Sequence, residues 1–586
     1  MTTLSNSAGQ PASARAVLPA DHRESGNAAS LRLRDRLRSP ALQGALAFLV
    51  YLVAWVTTGF RPVITNVTQM VLRPASPDPN ISLWSLRWWP YAIAHGLNPL
   101  YTHALLAPAG HSLAWVTTVP PLAVLAAPLT LTAGAVVSFN VLASLALPLS
   151  AWAAFILCRR LTGKFWAGLA GGAVFGFSSY ETYHSAFGHL NLSYSLLLPI
   201  LGYLIVVWWH AGISAPRFVV AAAATMAVQF YLFIETFADL TAVLLISLVV
   251  GLAVAGRAGR PAVAQLAKFL GLAWVIAIAL ALPYLVTALN TKPPRSFIPA
   301  GTDLASLVVP GVGRTYGVAW LARAAAKPVP LSVACYVGIP ALVLVVLLGV
   351  TSWHSRLVRL VCCLVPIVIA ASLGPSLHLD GSAVGRLPWA GLYRLSLVRS
   401  SIPVRLMIFA YLGLAVATAL WLAGPAKRVR WARWPLAVLV VAFIALDAFP
   451  VTVTVNAHPR ELPAFISSGQ YRHHLRRGEI VVVVSTVRDA GLLWQAQSDF
   501  YLRIAGEYIN QGYNRGKVKH PMDVPLPVLD LQPGTPKSVR IFDRFVTDHH
   551  VGAILVDTAN KPAWADVFTR LGLPPRAVGG VTIYRI

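Results

Sequence analysis

The chain has few charged residues, and acidic residues are especially scarce. Only 21 of its 586 residues are Asp or Glu, against 47 Lys or Arg, and charged residues make up 12% of the total. Soluble domains carry roughly 25% charged residues, so this composition excludes an ordinary soluble protein. Hydrophobic residues reach 56% and the mean hydropathy is +0.65. We therefore predict a polytopic α-helical membrane protein.

Cysteine is also scarce, which excludes a fold held together by many disulfides. The four cysteines are Cys158, Cys335, Cys362 and Cys363. Cys158 lies at the basic end of an apolar run, the others lie within apolar runs, and their spacing is not typical of metal ligands. We predict neither a disulfide framework nor a cysteine metal site.

The net charge of +26 does not indicate nucleic-acid binding in this chain. Arginine-rich cytoplasmic turns explain the excess, as the positive-inside rule expects. Residues 1–41 are polar and end in Arg32, Arg34, Arg36 and Arg38, so we interpret them as a disordered cytoplasmic tail. The apolar run that follows has no clean cleavage site and is interpreted as an uncleaved first helix.

A membrane domain is predicted over residues 42–454. A spanning helix needs about 20 apolar residues. Such runs predict about eleven transmembrane helices, near 43–60, 138–157, 165–179, 193–210, 218–234, 236–255, 269–289, 333–351, 357–373, 404–423 and 435–452. The first loop, 61–111, is too polar to span. Three prolines interrupt segment 112–134, which we predict to be re-entrant.

The basic residues determine the predicted orientation. With the amino terminus in the cytoplasm, successive turns that carry Arg and Lys face the cytoplasm, from Arg159 and Arg160 to Arg433. The first loop and the C-terminal part, 455–586, then lie outside. In that C-terminal part the charge rises. Predicted strands at 479–485, 551–557 and 581–586 alternate with predicted helices at 489–498, 542–549 and 562–573. This alternation predicts a small extracytoplasmic α/β domain.

In this orientation the acidic residues between Arg36 and Leu446 all fall on the outer side of the membrane. They are Asp78, Glu181, Glu235, Asp239, Asp303 and Asp380. A carboxylate in or beside hydrocarbon costs a few kcal/mol. We therefore predict that some of these acids belong to a functional site at the outer edge of the membrane.

The first loop carries the most distinctive pattern of the chain. In order, it contains Asp78, Trp84, Trp88, Asn98-Pro99 and Pro108-x-Gly110. Pro120-Pro121-Leu122 then opens the predicted re-entrant segment, and a basic turn closes the next predicted span. Together with an outer C-terminal domain, this arrangement resembles bacterial members of the GT-C glycosyltransferases. The resemblance covers roughly residues 40–290 in architecture and is specific in the first loop.

The resemblance implies a glycosyltransferase of a bacterial plasma (inner) membrane. Its donor would be a polyprenyl-phosphate sugar, and its acceptor an extracytoplasmic glycan, lipid or protein. Asp78 matches the acid of the first outer loop and would be the catalytic general base. The superfamily often has a pair of acidic residues in this loop, whereas this chain has one. The site could therefore bind a divalent cation or work without a metal. Direct displacement predicts inversion of the anomeric centre.

Further residues are predicted to bind the substrates. Transfer from a lipid phosphate needs a base near the acceptor hydroxyl and cations around the leaving phosphate. The predicted substrate-binding residues are Trp84, Trp88, His95, Asn98, Glu181, His184, His189, Glu235, Asp239, Arg295 and Arg405. Glu235 and Asp239 are four residues apart and share one face of a continuous helix. The spacing of Glu181, His184 and His189 matches no established zinc motif, so we predict no metal site at these three residues.

Other interpretations stay open at this stage. Asp78 could cap a helix, and the two histidines could bind substrate, contact the loop of Asp78 or serve only the local structure. The protein could instead be a transporter or lipid flippase, or a non-catalytic membrane scaffold that presents the outer domain. Transporters usually show internal repeats and charges at helix centres, and neither is evident in this sequence.

Overall fold

The structure is a computed structural model of the chain. It describes residues 39–68, 70–72, 78–291, 301–309, 332–393, 401–424, 427–453, 457–459, 462–485, 489–506, 535–558, 568–569 and 572–586. All statements below concern these residues.

Helices make up most of the described chain. In chain order they are α1 (Pro40–Trp55), α2 (Arg61–Thr65), α3 (Asp78–Ala94), α4 (Pro120–Leu125), α5 (Ala127–Ala133), α6 (Ala135–Thr162), α7 (Phe165–Gly176), α8 (Ser179–Ala186), α9 (Leu190–Ser193), α10 (Leu197–Trp209), α11 (Ala215–Leu232), α12 (Ile234–Leu280), α13 (Leu282–Leu289), α14 (Ile339–Ser352), α15 (Arg356–Ser372), α16 (Trp389–Leu392), α17 (Met407–Ala423), α18 (Arg433–Val453), α19 (Ala464–Ser467), α20 (Tyr471–His474), α21 (Ala490–Gln497) and α22 (Pro536–Asp548). A π-helical turn, Val56–Phe60, joins α1 to α2, and 3₁₀ turns occupy Ala305–Leu307, Ser332–Cys335, Pro403–Leu406 and Lys427–Ala432.

Several apolar helices are long enough to cross a membrane, as a polytopic α-helical membrane protein requires. In the described chain five segments qualify by length and composition: Ala135–Thr162, Leu190–Trp209, Ala215–Leu232, Ile234–Leu280 and Pro403–Ala423. Gly256 breaks the longest of them, because its backbone leaves the helical region at φ 66° and ψ 173°. This kink falls between the predicted spans 236–255 and 269–289. The total of eleven spans stays a prediction.

The proline-rich segment forms two short helices rather than one long one. Helices α4 and α5 have six and seven residues and are separated at Ala126. At 1.5 Å per residue each is about 10 Å long, far short of the roughly 30 Å of a hydrocarbon core. The segment therefore has the form expected of a re-entrant element.

The strands of the C-terminal part form one mixed sheet. The strands of the chain are β1 (Met70–Leu72), β2 (Tyr101–Thr102), β3 (His111–Ser112), β4 (Ser376–Leu379), β5 (Ser382–Arg386), β6 (Ala457–Pro459), β7 (Ile480–Val484), β8 (Arg503–Ile504), β9 (Ala553–Asp557), β10 (Pro575–Val578) and β11 (Val581–Arg585). The sheet has the order β10-β11-β9-β7-β8, with β7 parallel to β8 and β9. The predicted strand 479–485 corresponds to β7. The helix predicted at 562–573 lies largely outside the described residues.

Alternate residues of the sheet face two different cores, as the two-residue period of a strand requires. Val482 and Ile554 pack with Phe542 and Phe545 of α22. Val481 of β7 and Ala553 and Leu555 of β9 face the other way and join the main core of the helical bundle. The C-terminal part therefore packs directly on the membrane domain.

The first loop provides most of that contact. The Trp84 indole donates to Gln495 Oε1 at 2.6 Å, and Gln495 Nε2 donates in turn to the carbonyl oxygens of Ala104 and Leu502 at 2.7 and 3.0 Å. The ring of Phe500 packs edge-on against Trp88 with the centroids 5.3 Å apart. Helix α3 is thus held from the side by the C-terminal part.

Glycines bring α7 close to its neighbours. Gly168, Gly172 and Gly176 repeat every four residues along one side of the helix, an arrangement that lets membrane helices approach closely. A Cβ at Gly172 would lie 2.6 Å from the Ala151 carbonyl oxygen of α6 and would also meet the Tyr51 hydroxyl. Only hydrogen fits at this position.

Substituting Gly172→Ala should destabilise the helical bundle. Overpacking of this kind costs about 1–3 kcal/mol, which exceeds the roughly 1 kcal/mol that Ala gains over Gly in a helix. The matched control is Gly271→Ala in α12, where an added Cβ meets no atom within 4 Å. Thermal unfolding of the purified protein in detergent should show a lower Tm for Gly172→Ala and an equal or higher Tm for Gly271→Ala. Equal Tm values for the two variants would contradict this packing argument.

Candidate active site

Asp78 begins α3 and contacts a histidine from another helix. Pro79 follows it, a residue suited to the first turn of a helix because its fixed φ is already helical. The Oδ2 atom of Asp78 lies 3.0 Å from Nε2 of His189. The Asp78 side chain is 23% exposed, against 10% for His189. The carboxylate is therefore held by His189 and stays partly accessible to solvent.

A second histidine extends this contact into the protein. Nδ1 of His189 lies 2.9 Å from Nδ1 of His184 in α8. Ser178 begins α8, since its side chain accepts from the Glu181 backbone N–H. Burial lowers the pKa of His184 well below its usual value, and the charges of His189 and Arg405 lower it further. The His184 ring is therefore neutral at neutral pH.

The turn between the two histidines is packed against the start of α3. Gly188 has φ +66°, and a Cβ there would lie 3.0 Å from Pro79 Cγ and 3.1 Å from Phe139 Cζ. Glycine meets both demands, because it lacks a Cβ and enters the left-handed region freely. This turn places His189 beside Asp78.

Glu181 lies deep beside this pair, with no exposed surface. Neither of its carboxyl oxygens has a hydrogen-bond partner among the described residues. The nearby Ser195 hydroxyl donates to the Leu192 carbonyl oxygen at 3.0 Å. Burial raises the pKa of Glu181 well above its usual range, and Ser195 offsets this only in part. Burial therefore favours the uncharged form of Glu181, and this side chain is not exposed for the predicted contact with substrate.

A buried ion pair forms the other half of the site. Arg405 pairs with Glu235, whose other oxygen accepts the Ile402 backbone N–H at 2.7 Å. The Arg405 guanidinium also lies over the ring of Phe233, 5.1 Å from its centroid, as cations favour. Asp239 is one turn further along α12 and is also buried. These two acids thus line the protein interior rather than a solvated turn.

Tyr180 connects the two halves. It is buried beside His184, with the ring centroids 4.4 Å apart. Burial raises the pKa of Tyr180 well above its usual value, while the charge of Arg405 acts in the opposite direction. The charge of Arg405 also reaches His184. Tyr180 and His184 therefore lie within electrostatic reach of the Arg405 ion pair, and His184 links them through His189 to Asp78. These residues are called the Asp78 cluster.

Several predicted residues lie elsewhere. Trp84 and Trp88 are almost completely buried against the C-terminal part, so neither side chain is exposed for the predicted contact with substrate. His95 is exposed and stacks on Tyr91 at 4.1 Å. The Asn98 side chain accepts the Leu100 backbone N–H at 3.0 Å. All four residues shape the first loop, away from the Asp78 cluster.

Two further predictions cannot be placed on this geometry. Arg295 lies outside the described residues. Among the residues that the structure describes, no group of three or more His, Cys, Asp or Glu side chains is arranged to hold a metal ion. The choice between a metal-free site and a divalent cation stays open.

Sequence reasoning missed two members of the cluster. Tyr180 directly precedes Glu181, so its place beside a predicted site residue is a sequence signal for it. The Ile402 backbone N–H, which fixes Glu235, leaves no trace in residue types. Only the folded chain brings it to that carboxylate.

Substituting Glu235→Gln should destabilise the protein, because the Arg405 charge stays buried without its carboxylate. Loss of one partner of a buried pair costs about 3–5 kcal/mol. The double variant Glu235→Gln/Arg405→Met removes both charges and should recover most of the lost stability. The measurement is thermal unfolding in detergent; a single variant that melts at the wild-type temperature would show that the pair does not stabilise the fold.

Comparison with known proteins locates this architecture among membrane glycosyltransferases. No family model and no curated protein sequence matches the chain. Solved structures do: the mycobacterial arabinofuranosyltransferase AftD matches with a TM-score of 0.52 and 15% identity over 93% of this chain and 40% of AftD.

The oligosaccharyltransferase of Archaeoglobus fulgidus, solved with zinc and sulfate, matches with a TM-score of 0.52 and 12% identity over 88% of this chain. This chain spans 40% of the length of the first protein and 68% of the second. At these identities the likeness concerns the fold. The chain has the fold of the GT-C membrane glycosyltransferases, which confirms the resemblance expected from its first loop.

Proposed function

We propose that the protein transfers a sugar from a polyprenyl-phosphate donor to an extracytoplasmic acceptor. The observation that carries this proposal is the single cluster that contains a partly exposed carboxylate, Asp78, and a buried guanidinium, Arg405. The reaction requires a base at one end and a cation at the other. The GT-C fold supports glycosyl transfer, because both structural relatives named above are glycosyltransferases.

Asp78 serves as the general base in this proposal. The acceptor hydroxyl oxygen attacks the anomeric carbon and its proton passes to the Asp78 carboxylate. The bond between the anomeric carbon and the phosphate oxygen breaks, and its electron pair leaves with the lipid phosphate. A base held in place by His189 loses little entropy on the way to the transition state.

Arg405 stabilises the departing phosphate. Guanidinium has five N–H donors, and one carboxylate cannot use all of them. Nε of Arg405 is buried and has no hydrogen-bond partner among the described residues. The arginine therefore has an unused donor while Glu235 holds it in position. Charge-assisted hydrogen bonds from arginine to phosphate are among the stronger polar contacts in proteins.

The membrane orientation belongs to this proposal. The positive-inside rule puts the amino terminus of the chain in the cytoplasm and the Asp78 cluster at the outer face of a bacterial inner membrane. The sugar can be a pentose, as in the arabinofuranosyltransferase relative, or a hexose. A non-catalytic scaffold would not need Asp78 to be a carboxylate, whereas transporters also use carboxylates.

Substituting Asp78→Asn should abolish sugar transfer. The expected loss is about 10²–10⁴-fold, the usual contribution of a general base. The assay uses membranes that contain the protein and a radiolabelled polyprenyl-phosphate sugar, with transfer to endogenous acceptor as the readout. Uptake of label into vesicles without transfer would instead favour a transporter.

The matched control is Asp543→Asn, which removes an exposed carboxylate of α22. It should leave transfer unchanged at equal expression. Full activity of Asp78→Asn would remove Asp78 from the mechanism and support the scaffold alternative.

Transfer should invert the configuration of the anomeric carbon, because one direct displacement reverses the side from which the carbon is substituted. The measurement is an NMR assignment of the anomer in the donor and in the isolated product. Retention of configuration would refute a single displacement with Asp78 as base, and would require a covalent intermediate or another route.

A further inference from the structure

We propose that His189 and His184 are positioning residues that act in series, with His184 fixing the tautomer of His189 and His189 holding Asp78 in one rotamer as an ionised acceptor. This inference rests on the proposed function only for its consequence in catalysis. The hydrogen-bond order itself is a property of the folded chain. It assigns a role to His184, which does not touch Asp78.

The two contacts together allow one order of protons when both rings are neutral. A neutral imidazole carries hydrogen on one nitrogen and accepts through the other. The carboxylate of Asp78 only accepts, so Nε2 of His189 must donate to it at 3.0 Å. Nδ1 of His189 is then a lone pair, and the facing Nδ1 of His184 must donate to it at 2.9 Å.

The opposite order fails at Asp78. If Nδ1 of His189 carried the hydrogen, its Nε2 lone pair would face a carboxylate oxygen at 3.0 Å. Two acceptors at that distance repel each other. The contact between the Nδ1 atoms of His184 and His189 therefore favours the tautomer of His189 that carries hydrogen on Nε2.

The surroundings keep the His184 ring neutral and in place. Tyr180 and Tyr183 pack edge-on against it, at centroid distances of 4.4 and 5.2 Å. The titratable and charged groups that face the pair include Asp78 from α3, Tyr180 and Tyr183 from α8, and Arg405 from the turn before α17. The positive charge of Arg405 opposes a second proton on His184, so that ring stays a neutral donor.

Amide side chains of two lengths test this order. Asn places its amide nitrogen near the position of a histidine Nδ1, and Gln places it near Nε2, because Gln is one methylene longer. We expect His189→Gln to keep a donor for Asp78 and His184→Asn to keep a donor for His189. The reversed substitutions, His189→Asn and His184→Gln, place that donor wrongly.

The transfer assay should separate these two pairs of variants. His189→Gln and His184→Asn should retain activity within about tenfold, while His189→Asn and His184→Gln should lose about 10²-fold in kcat with KM little changed, the usual cost of a misplaced group. The control is the exposed His473, at which Asn and Gln should both be neutral. Equal activity of Asn and Gln variants at both sites would overturn the proposal.

A second measurement does not depend on activity. Nitrogen-15 NMR of the histidine side chains in lipid nanodiscs distinguishes the two tautomers, and His189 is assigned from the signal that His189→Gln removes. We expect hydrogen on Nε2 of His189 in the wild type and loss of that preference in His184→Gln. A wild-type His189 with hydrogen on Nδ1 would refute the inference. Absence of transfer by the wild-type protein would refute the proposed function while the NMR result still decides this one.

Discussion

The contact between Asp78 and His189 ties the start of α3 to the turn after α8 at one end of this helical bundle. It joins residues that are far apart in sequence, and it forms because two separate turns deliver them to the same place. Pro79 starts α3 directly after the acid, and Gly188 lets the second turn lie against that proline. The start of α3 therefore fixes the backbone of Asp78, and the His189 imidazole holds its carboxylate. If Asp78 is the proposed general base, this positioning starts the reaction close to its reactive geometry.

The C-terminal part contributes to the same constraint from outside the membrane domain. Asn80, two residues after Asp78, donates from its side chain to the Asp489 carbonyl oxygen at 3.3 Å. One turn further along α3, the Trp84 indole donates to the Gln495 side chain. All the hydrogen-bonding atoms of the Gln495 side chain amide find partners in or beside this interface. Such a fully satisfied buried network resists rearrangement. The C-terminal part is therefore a support for α3, and the loop tryptophans, which their position suggested for substrate binding, are the means of that support.

The sequence predicted what depends on local pattern and missed what depends on pairing. Apolar runs located the long helices, and β-branched runs located β7 and β9, because burial and periodicity are written in consecutive residues. The four-residue spacing of Glu235 and Asp239 predicted a shared face, but nothing in it pointed to Arg405 as the partner or to burial. The glycine repeat of α7 is a sequence signal for close helix packing. Contacts such as Asp78 with His189, or Trp84 with Gln495, follow from the tertiary fold, which one sequence without relatives does not specify.

The ion pair of Arg405 and Glu235 explains how the cation of the proposed phosphate site can stay charged inside an apolar bundle. An isolated guanidinium would be too costly to bury, so a carboxylate must accompany it. If the carboxylate accepted hydrogen bonds from every N–H of the arginine, no donor would remain for a phosphate. Here Glu235 is itself fixed by the Ile402 backbone, and Nε of Arg405 remains unpartnered within the described residues. The pair thus keeps the cation oriented at little reorganisation cost, which is the condition under which electrostatic stabilisation of a leaving group is most effective.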